Sequence, residues 1–497
     1  MKKKCIALVC AAALALSLTA CGTTGQTGTA GTDTNTNAEQ TSAAVLSLEG
    51  ATTLTFTDSG VTASDGDYTG YEIDGTALTI NGAGTYILTG TCGSGSVTVK
   101  KGTTGVTLVL NGLDLTSADT APITCNKSTE VTICAANGSV NVLTDSAENN
   151  DESYPDNADA ENAVIKCKDG SRVTLCGTGS LTVNAKGKNG IKSGASTAEE
   201  GEASLTIREL ALTIDAPVND AVNAEQLLTI ESGTLNISAG DDALHSDLAL
   251  NIGADGTAGP TITITDCYEG IEGATLNIYS GDITINAADD CLNAANGDLS
   301  GYDFSMNISG GTITAYTSGG DGFDSNGDLN ISGGSVTVWS ASSADNQPLD
   351  ADGTIRITGG TVLAAGGSGG MGMSLTAEQP CVTFSFSGAG GFGGNSGSAL
   401  TKGSAFTIGS GSTAVYSGEA LCNAGFVFFS SPDLTAGSSY DLAAGGSTIA
   451  TAAAQTGSVQ TGMGGMGGQP GQMPGGSFDP GSAPTPPSGD FRPGNRQ

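Results

Sequence analysis

A pentad of polar, small, aliphatic, polar and small residues returns along the chain and limits what it can fold into. It reads Asn189-Gly-Ile-Lys-Ser, Asp220-Ala-Val-Asn-Ala, Asp242-Ala-Leu-His-Ser, Glu269-Gly-Ile-Glu-Gly, Asp290-Cys-Leu-Asn-Ala, Asp321-Gly-Phe-Asp-Ser and Gln347-Pro-Leu-Asp-Ala, with Asn162-Ala-Val-Ile-Lys as a weaker earlier member. After most pentads come two bursts of apolar-x-apolar separated by glycine, such as Leu276-Asn-Ile278 and Ile283-Thr-Ile285. Each burst has period two, the signature of a strand with one buried face, and the glycine marks a sharp turn. Three short strands per repeat predict one coil of a solenoid, so the chain is read as all-β, a right-handed parallel β-helix. Successive pentads lie 31, 22, 27, 21, 31 and 26 residues apart, which places insertions at turns, as at residues 254–260 and 297–303. A β-sandwich also uses short strands with turn signals and is the competing architecture.

If the pentads are equivalent positions on successive coils, their first and fourth residues form two columns. The first is Asn189, Asp220, Asp242, Glu269, Asp290, Asp321, Gln347; the second is Lys192, Asn223, His245, Glu272, Asn293, Asp324, Asp350. Asp241 and Asp289 add a preceding acid on two coils. Carboxylates stacked about 5 Å apart repel unless something positive sits among them. Between residues 193 and 355 the sole lysine or arginine is Arg208, so the compensating charge is expected from solution. Oxygen donors at this density suit Ca²⁺. The candidate ligands are Asp220, Asn223, Asp241, Asp242, Glu269, Glu272, Asp289, Asp290, Asn293, Asp321, Asp324 and Asp350. The plainer reading gives these side chains to turn capping, which does not account for acids recurring at one pentad position. Gly319-Gly-Asp-Gly-Phe-Asp324 matches the start of a calcium-binding β-roll nonapeptide, but once only, and Asn326 stands where that motif needs an aliphatic residue.

At the start, Lys2, Lys3 and Lys4 precede an apolar run to Leu18, and Leu18-Thr-Ala-Cys21 has the form of a lipobox. Residues 1–20 are then a lipoprotein signal peptide and Cys21 the lipidated mature N-terminus. This predicts an exported protein on the outer face of the membrane, held by a lipid anchor alone. Residues 21–44 read as a flexible tether, 45–96 as cap strands, 97–365 as the β-helix, 366–456 as a C-terminal β cap and 457–497 as a disordered Gly/Pro-rich tail. The 51 acidic residues against 17 basic exclude nucleic acid as a partner.

Nine cysteines remain beyond the leader and the lipobox, an odd number that argues against a complete disulfide framework. The segments holding Cys125 and Cys134 align with those holding Cys167 and Cys176. Equivalent cysteines should therefore stack, as small apolar thiols or as disulfides between coils.

The order of short motifs resembles a family of bacterial carbohydrate-binding β-helix proteins. The motifs are Gly84-Thr-Tyr-Ile-Leu-Thr-Gly, Val106-Thr-Leu-Val-Leu-Asn-Gly-Leu-Asp-Leu-Thr, Ala121-Pro-Ile, the acidic loop at residues 145–161, Asn162-Ala-Val-Ile, and the Gly320-Asp-Gly-Phe-Asp-Ser coil. That family includes clostridial surface proteins that bind polygalacturonate and cellulose, and its fold is similar to family 9 pectate lyases. The resemblance implies calcium held by Asp-Asp-x-x-Asp with acids of neighbouring coils. Here the matches are Asp241-Asp242-Ala-Leu-His245 and Asp289-Asp290-Cys-Leu-Asn293, which depart from the pattern at the last ligand.

A uronate lyase needs a basic group beside calcium, and Lys192 is the one cation in these columns. Its plain reading is a solvated partner of the acids, and His245, the single histidine, reads as a hydrogen-bonded structural residue. The expected function is therefore calcium-dependent, non-catalytic binding of acidic polysaccharide at the cell surface. A uronate lyase and a calcium-stabilised surface spacer or adhesin are the alternatives. Neutral glycans would need aromatic platforms, for which Tyr316 and Trp339, closing consecutive strands, are the candidates.

Overall fold

The period-two bursts form strands whose inward residues are buried and outward residues exposed, as along Leu210–Ala216, where burial alternates without exception. A computed structural model describes residues 48, 50–64, 69–341, 346–367, 373–386 and 400–461. The leader, Cys21, the tether and the tail from residue 462 onward lie outside the described residues. No helix occurs among those described, so the architecture rests on how strands stack.

They stack as three parallel columns, and the chain visits them in turn to make a parallel β-helix. The first column runs from Ala77–Ile80 through Ser96–Val99, Ile123–Cys125, Ala163–Cys167, Asn189–Ser193, Val222–Ala224, Leu244–Ile252, Ile271–Ile278 and Leu292–Ala294 to Phe323–Ser325. Leu349 bridges onto Phe323 to continue it. Leu244–Ile252 and Ile271–Ile278 are long enough to turn the corner into the second column, which goes on through Ser305–Ile308, Asp328–Ile331 and Ile355–Ile357. The third includes Leu210–Ala216, Gly233–Ala239, Thr261–Asp266, Asp282–Ala287, Thr312–Thr317 and Ser335–Ser340. The insertions at 254–260 and 297–303 fall between strands, at corners of the coil.

Register brings like residues over like. Leu228, Leu250, Leu276, Met306, Leu329 and Ile355 form one inward column, all buried. Each such side chain contributes about 1.5–3 kcal/mol from burial. One residue further along, Asn251, Asn277, Asn307 and Asn330 stack on the outside, the last three each donating to the amide oxygen of the preceding coil's asparagine, at 2.9, 3.1 and 3.2 Å. The corner glycines are needed for a related reason. Gly334 (φ 81°) and Gly360 (φ 80°) would each bring a Cβ within 2.7 Å of a backbone oxygen one coil back.

The cysteines follow the same register, with Cys167 over Cys125 and Cys176 over Cys134. All nine described cysteines are buried free thiols.

Three details differ from the sequence reading. The early pentad is shifted by one: Ala163, not Asn162, pairs with Asn189, so Lys166 lies over Lys192. Asn162 instead takes a left-handed φ of 60° just before the strand, a conformation asparagine tolerates. Parallel stacking also exceeds residues 97–365 at both ends. It begins where Thr52–Thr57 pairs with Gly84–Cys92 and ends where Ser374–Ser385 pairs with Ile355–Ile357. Finally, residues 457–460 are not tail: Gln455–Gln460 is a strand antiparallel to Ser374–Ser385, with Val459 buried.

Antiparallel strands close the two ends. Thr52–Thr57 with Gly60–Ala63 and Tyr71–Asp74 with Ala77–Ile80 form hairpins at one. Phe426–Ser430 pairs with Thr361–Gly366 at the other, beside a four-stranded sheet that includes Ala405–Ser410. The caps remove the free edges a parallel stack would otherwise present.

Leu276→Ala, in the middle of the inward column, is expected to lower stability by about 2–5 kcal/mol, read as a lower urea midpoint. An unchanged midpoint would contradict the column as the source of stability.

Candidate functional site

The first column carries the pentads, and its register sets the acids in line. Pairing runs Lys192 to Asn223 to His245 to Glu272 to Asn293 to Asp324, so the fourth pentad positions form one continuous file. The small residue at position two is required by the next coil: a Cβ on Gly270 would meet the Cys291 oxygen at 2.3 Å, and one on Gly322 the Pro348 oxygen at 2.3 Å. Position three, aliphatic or aromatic, is the inward anchor, as with Leu244, Ile271, Leu292 and Phe323. Positions one and four are left on the outer edge of the turn.

Partners along this edge change from one end to the other. At the N-terminal end the protein supplies its own cations. Lys192 donates to Asn223 Oδ1 at 3.1 Å and pairs with Glu225 at 3.3 Å. Asn223 Nδ2 donates in turn to Asp220 Oδ2 at 2.5 Å, and Asp220 Oδ1 accepts from the Asp242 amide at 3.3 Å. One coil on, His245 Nδ1 lies 2.9 Å from Asp242 Oδ2 and 2.7 Å from Glu272 Oε2, while Nε2 lies 2.8 Å from Asp247 Oδ1.

Beyond Glu272, amides replace cations. Asn293 Nδ2 donates to Glu269 Oε2 at 2.9 Å, and backbone amides of Asp321 and Gln347 donate to Asp290 and Asp321. Among the described residues, no lysine, arginine or histidine pairs with Asp289, Asp290, Asp321, Asp324 or Asp350. Carboxylate oxygens of Asp321, Asp324 and Asp350 all lie within 4.8 Å of one another. Two buried amide oxygens on the same edge, Asn293 Oδ1 and Gln347 Oε1, have no hydrogen-bond partner among the described residues. Orphan acceptors beside unpaired carboxylates form a donor set that fits a hard cation.

The protonation of these groups reflects the crowding. Burial, with repulsion from neighbouring acids, pushes Asp290 up to about 8, and Glu269 and Asp321 up to about 7. Burial also raises Asp220, Asp242 and Asp324. At His245 burial pulls down, but hydrogen bonds to the carboxylates of Asp242, Asp247 and Glu272 outweigh it and carry the imidazole to about 12.

Of the twelve metal candidates, the structure thus gathers Asp321, Asp324 and Asp350 in one group. Asp242 and Glu272 close around His245, and Asp220–Asn223 and Glu269–Asn293 are hydrogen-bonded pairs. Asp241 is exposed, and Asp289 and Asp290 bring oxygens to within 2.4 and 2.3 Å of where a Gly320 Cβ would stand.

The aromatic candidates do not form an outward platform. Trp339 does sit beside Tyr316 in register, but it is fully buried against Phe406 of the C-terminal sheet, ring centroids 6.0 Å apart. Tyr316 is half-buried with Lys402 Nζ 5.2 Å over its ring, lining a cavity of about 310 Å³ with Asn286 and Glu419. That the cap covers this stretch of the third column was not readable from strand periodicity. Tyr268 is the ring that reaches solvent beside the acids. It is 48% exposed and stacked between Asp241 and Asp289 through backbone hydrogen bonds of 3.0 and 2.8 Å. A hydrogen bond with the Asp289 carboxylate raises its phenol.

Two further residues escaped the sequence reading. Lys166, over Lys192, is held below the usual lysine range by burial and by Lys192, and the one-residue slip in the early pentad hid it. Asp247, two residues after His245, shares its strand face, which period two would have revealed.

The sequence model of the carbohydrate-binding domain-containing protein family matches residues 74–370, more than half the chain and nearly all of the β-helix. The chain belongs to this family. A carbohydrate-binding domain-containing protein of Acetivibrio thermocellus is 33% identical over 178 residues, 35% of this chain and 55% of that protein, so the chain spans about half the length of this relative. A solved structure, the polysaccharide lyase-like protein from C. thermocellum in a gadolinium derivative, is 23% identical and covers 63% of this chain and 93% of that one, with a TM-score of 0.30.

Every carboxylate shift on the edge between Asp220 and Asp324 is upward, so the folded chain holds protons that the unfolded chain has released. The contribution of these carboxylates to metal-free stability is therefore fully present below about pH 4 and lost as pH rises through about 7–8. In chelator the melting temperature should fall between about pH 5 and 8, and calcium should raise it more at the higher pH. A metal-free melting temperature that rises across this window would contradict the account.

Proposed function

We propose that the acidic edge of this β-helix binds acidic polysaccharide through calcium without cleaving it, displayed on the outer face of the cell membrane by an acylated Cys21. The observation that carries this reading is the run Asp289, Asp290, Asp321, Asp324 and Asp350, which has no cationic partner among the described residues and includes three carboxylates grouped within 4.8 Å. A strongly acidic surface repels a polyanion, whereas calcium held at an exposed edge attracts it and ligates its carboxylates. Tyr268 is placed to stack on a sugar ring bound at that edge. Membership of a carbohydrate-binding family and the lipobox at Leu18-Thr-Ala-Cys21 support the same reading.

Lys166 favours a second reading. A lysine kept low by burial is the kind of base that removes a proton α to a uronate carboxylate. It lies at the cationic end of the file, with the Lys192 coil between it and Asp220.

Retention of the protein on polygalacturonate, with ultraviolet absorbance of unsaturated product recorded in parallel, separates these readings. The binder predicts retention with calcium, release by chelator and no new absorbance. Growing absorbance that Lys166→Ala abolishes would replace it with a lyase, and no retention in either condition would reduce the edge to a calcium-stabilised spacer. Tyr268→Ala should weaken retention roughly two- to tenfold; an undiminished column volume would remove Tyr268 from the site.

A further inference from the structure

The rung around His245 differs from the rest of the edge in the chemistry of its donors. Asp242, His245 and Glu272 present one nitrogen and two carboxylate oxygens, all within 4.8 Å of one another. Calcium is an all-oxygen ion, while an imidazole with carboxylates suits zinc, cobalt or nickel. We propose that Asp242, His245 and Glu272 form a binding site for a divalent transition metal of the zinc class, with Asp247 as the outer partner that orients the imidazole.

Three observations support the assignment. The oxygens of Asp242 and Glu272 converge on the same ring nitrogen, at 2.9 and 2.7 Å. One N–H serves a single acceptor well, so this arrangement has one acceptor too many for a proton but the right number for a metal that draws all three atoms to itself. The opposite nitrogen, Nε2, is engaged by Asp247 Oδ1 at 2.8 Å. That contact fixes the ring, so that a metal taking the place of the Nδ1 proton would meet the lone pair with the Asp242 and Glu272 oxygens already turned towards it, the carboxylate–histidine–metal arrangement. The ligands also stand on rigid backbone, since His245 and Glu272 are register partners on adjacent parallel strands. Their side chains are only 18% exposed, and that of Asp242 11%. The remaining coordination positions would be taken by water. This site uses none of Asp289, Asp290, Asp321, Asp324 and Asp350, the carboxylates on which the calcium and glycan reading rests.

The test is titration of the chelator-treated protein with Co²⁺, whose visible absorption reports nitrogen and oxygen ligation, followed by displacement with Zn²⁺. One equivalent of Co²⁺ should produce the band, Zn²⁺ should erase it, and excess Ca²⁺ should leave it in place. His245→Asn should abolish the band, and Asp247→Asn should weaken Co²⁺ affinity about 10- to 100-fold; both variants are to be compared at unchanged far-ultraviolet circular dichroism. His245→Asp should trade Co²⁺ for Ca²⁺. No band in the native protein, or a band that persists in His245→Asn, would overturn the proposal and leave His245 a resident imidazolium among three acids.

Discussion

Carboxylates repeated at strand spacing along one edge of a solenoid cannot satisfy one another. The contrast with the asparagine file on the neighbouring face makes this plain. An amide carries a donor and an acceptor, so Asn251, Asn277, Asn307 and Asn330 complete each other coil after coil. A carboxylate only accepts, and a stack of them needs a proton, a cation or an amide from elsewhere at every rung. The same register that makes one file self-sufficient makes the other dependent on a third party.

The edge meets this need in different ways along its length. Lys192 serves the first coils and His245 the next, and from there on backbone and side-chain amides do partial duty while, among the described residues, the edge oxygens Asn293 Oδ1 and Gln347 Oε1 are left without donors. The upward displacement of Glu269, Asp290 and Asp321 is the same shortage expressed as proton affinity. On the proposed reading, a divalent ion that displaces those protons would act on stability and on ligand recognition together. The rest of the molecule holds the edge straight: the inward aliphatic columns fix the register, and the antiparallel strands at either end keep the stack from extending.

Much of this was legible in the residues. Period-two bursts and a returning pentad specify the coils, and the aligned pentads alone put Asn223, His245, Glu272, Asn293 and Asp324 in one file. Legibility failed where the signal was not periodic. The early coil has no small residue after a polar one in frame, so its register slipped by one and concealed Lys166. The role of Trp339 depended on a cap that reaches back over the third column, a long-range contact with no local pattern. Residues 457–460 have the composition of a tail, yet they find a partner in Ser374–Ser385 and become a strand. Of the partners of His245, Asp242 and Asp247 lie on its own coil and Glu272 on the next, so the full set emerges only when neighbouring coils are aligned.

The central claim is that the coils beyond Glu272 take their missing charge from solution, and equilibrium dialysis against calcium at about pH 9, above the range to which burial raises these carboxylates, tests it most directly. The account predicts that the native protein binds calcium and that a combined Asp321→Asn, Asp324→Asn and Asp350→Asn variant binds less of it while keeping the fold. Native protein that binds no calcium, or a variant that binds as much as the native, would contradict it.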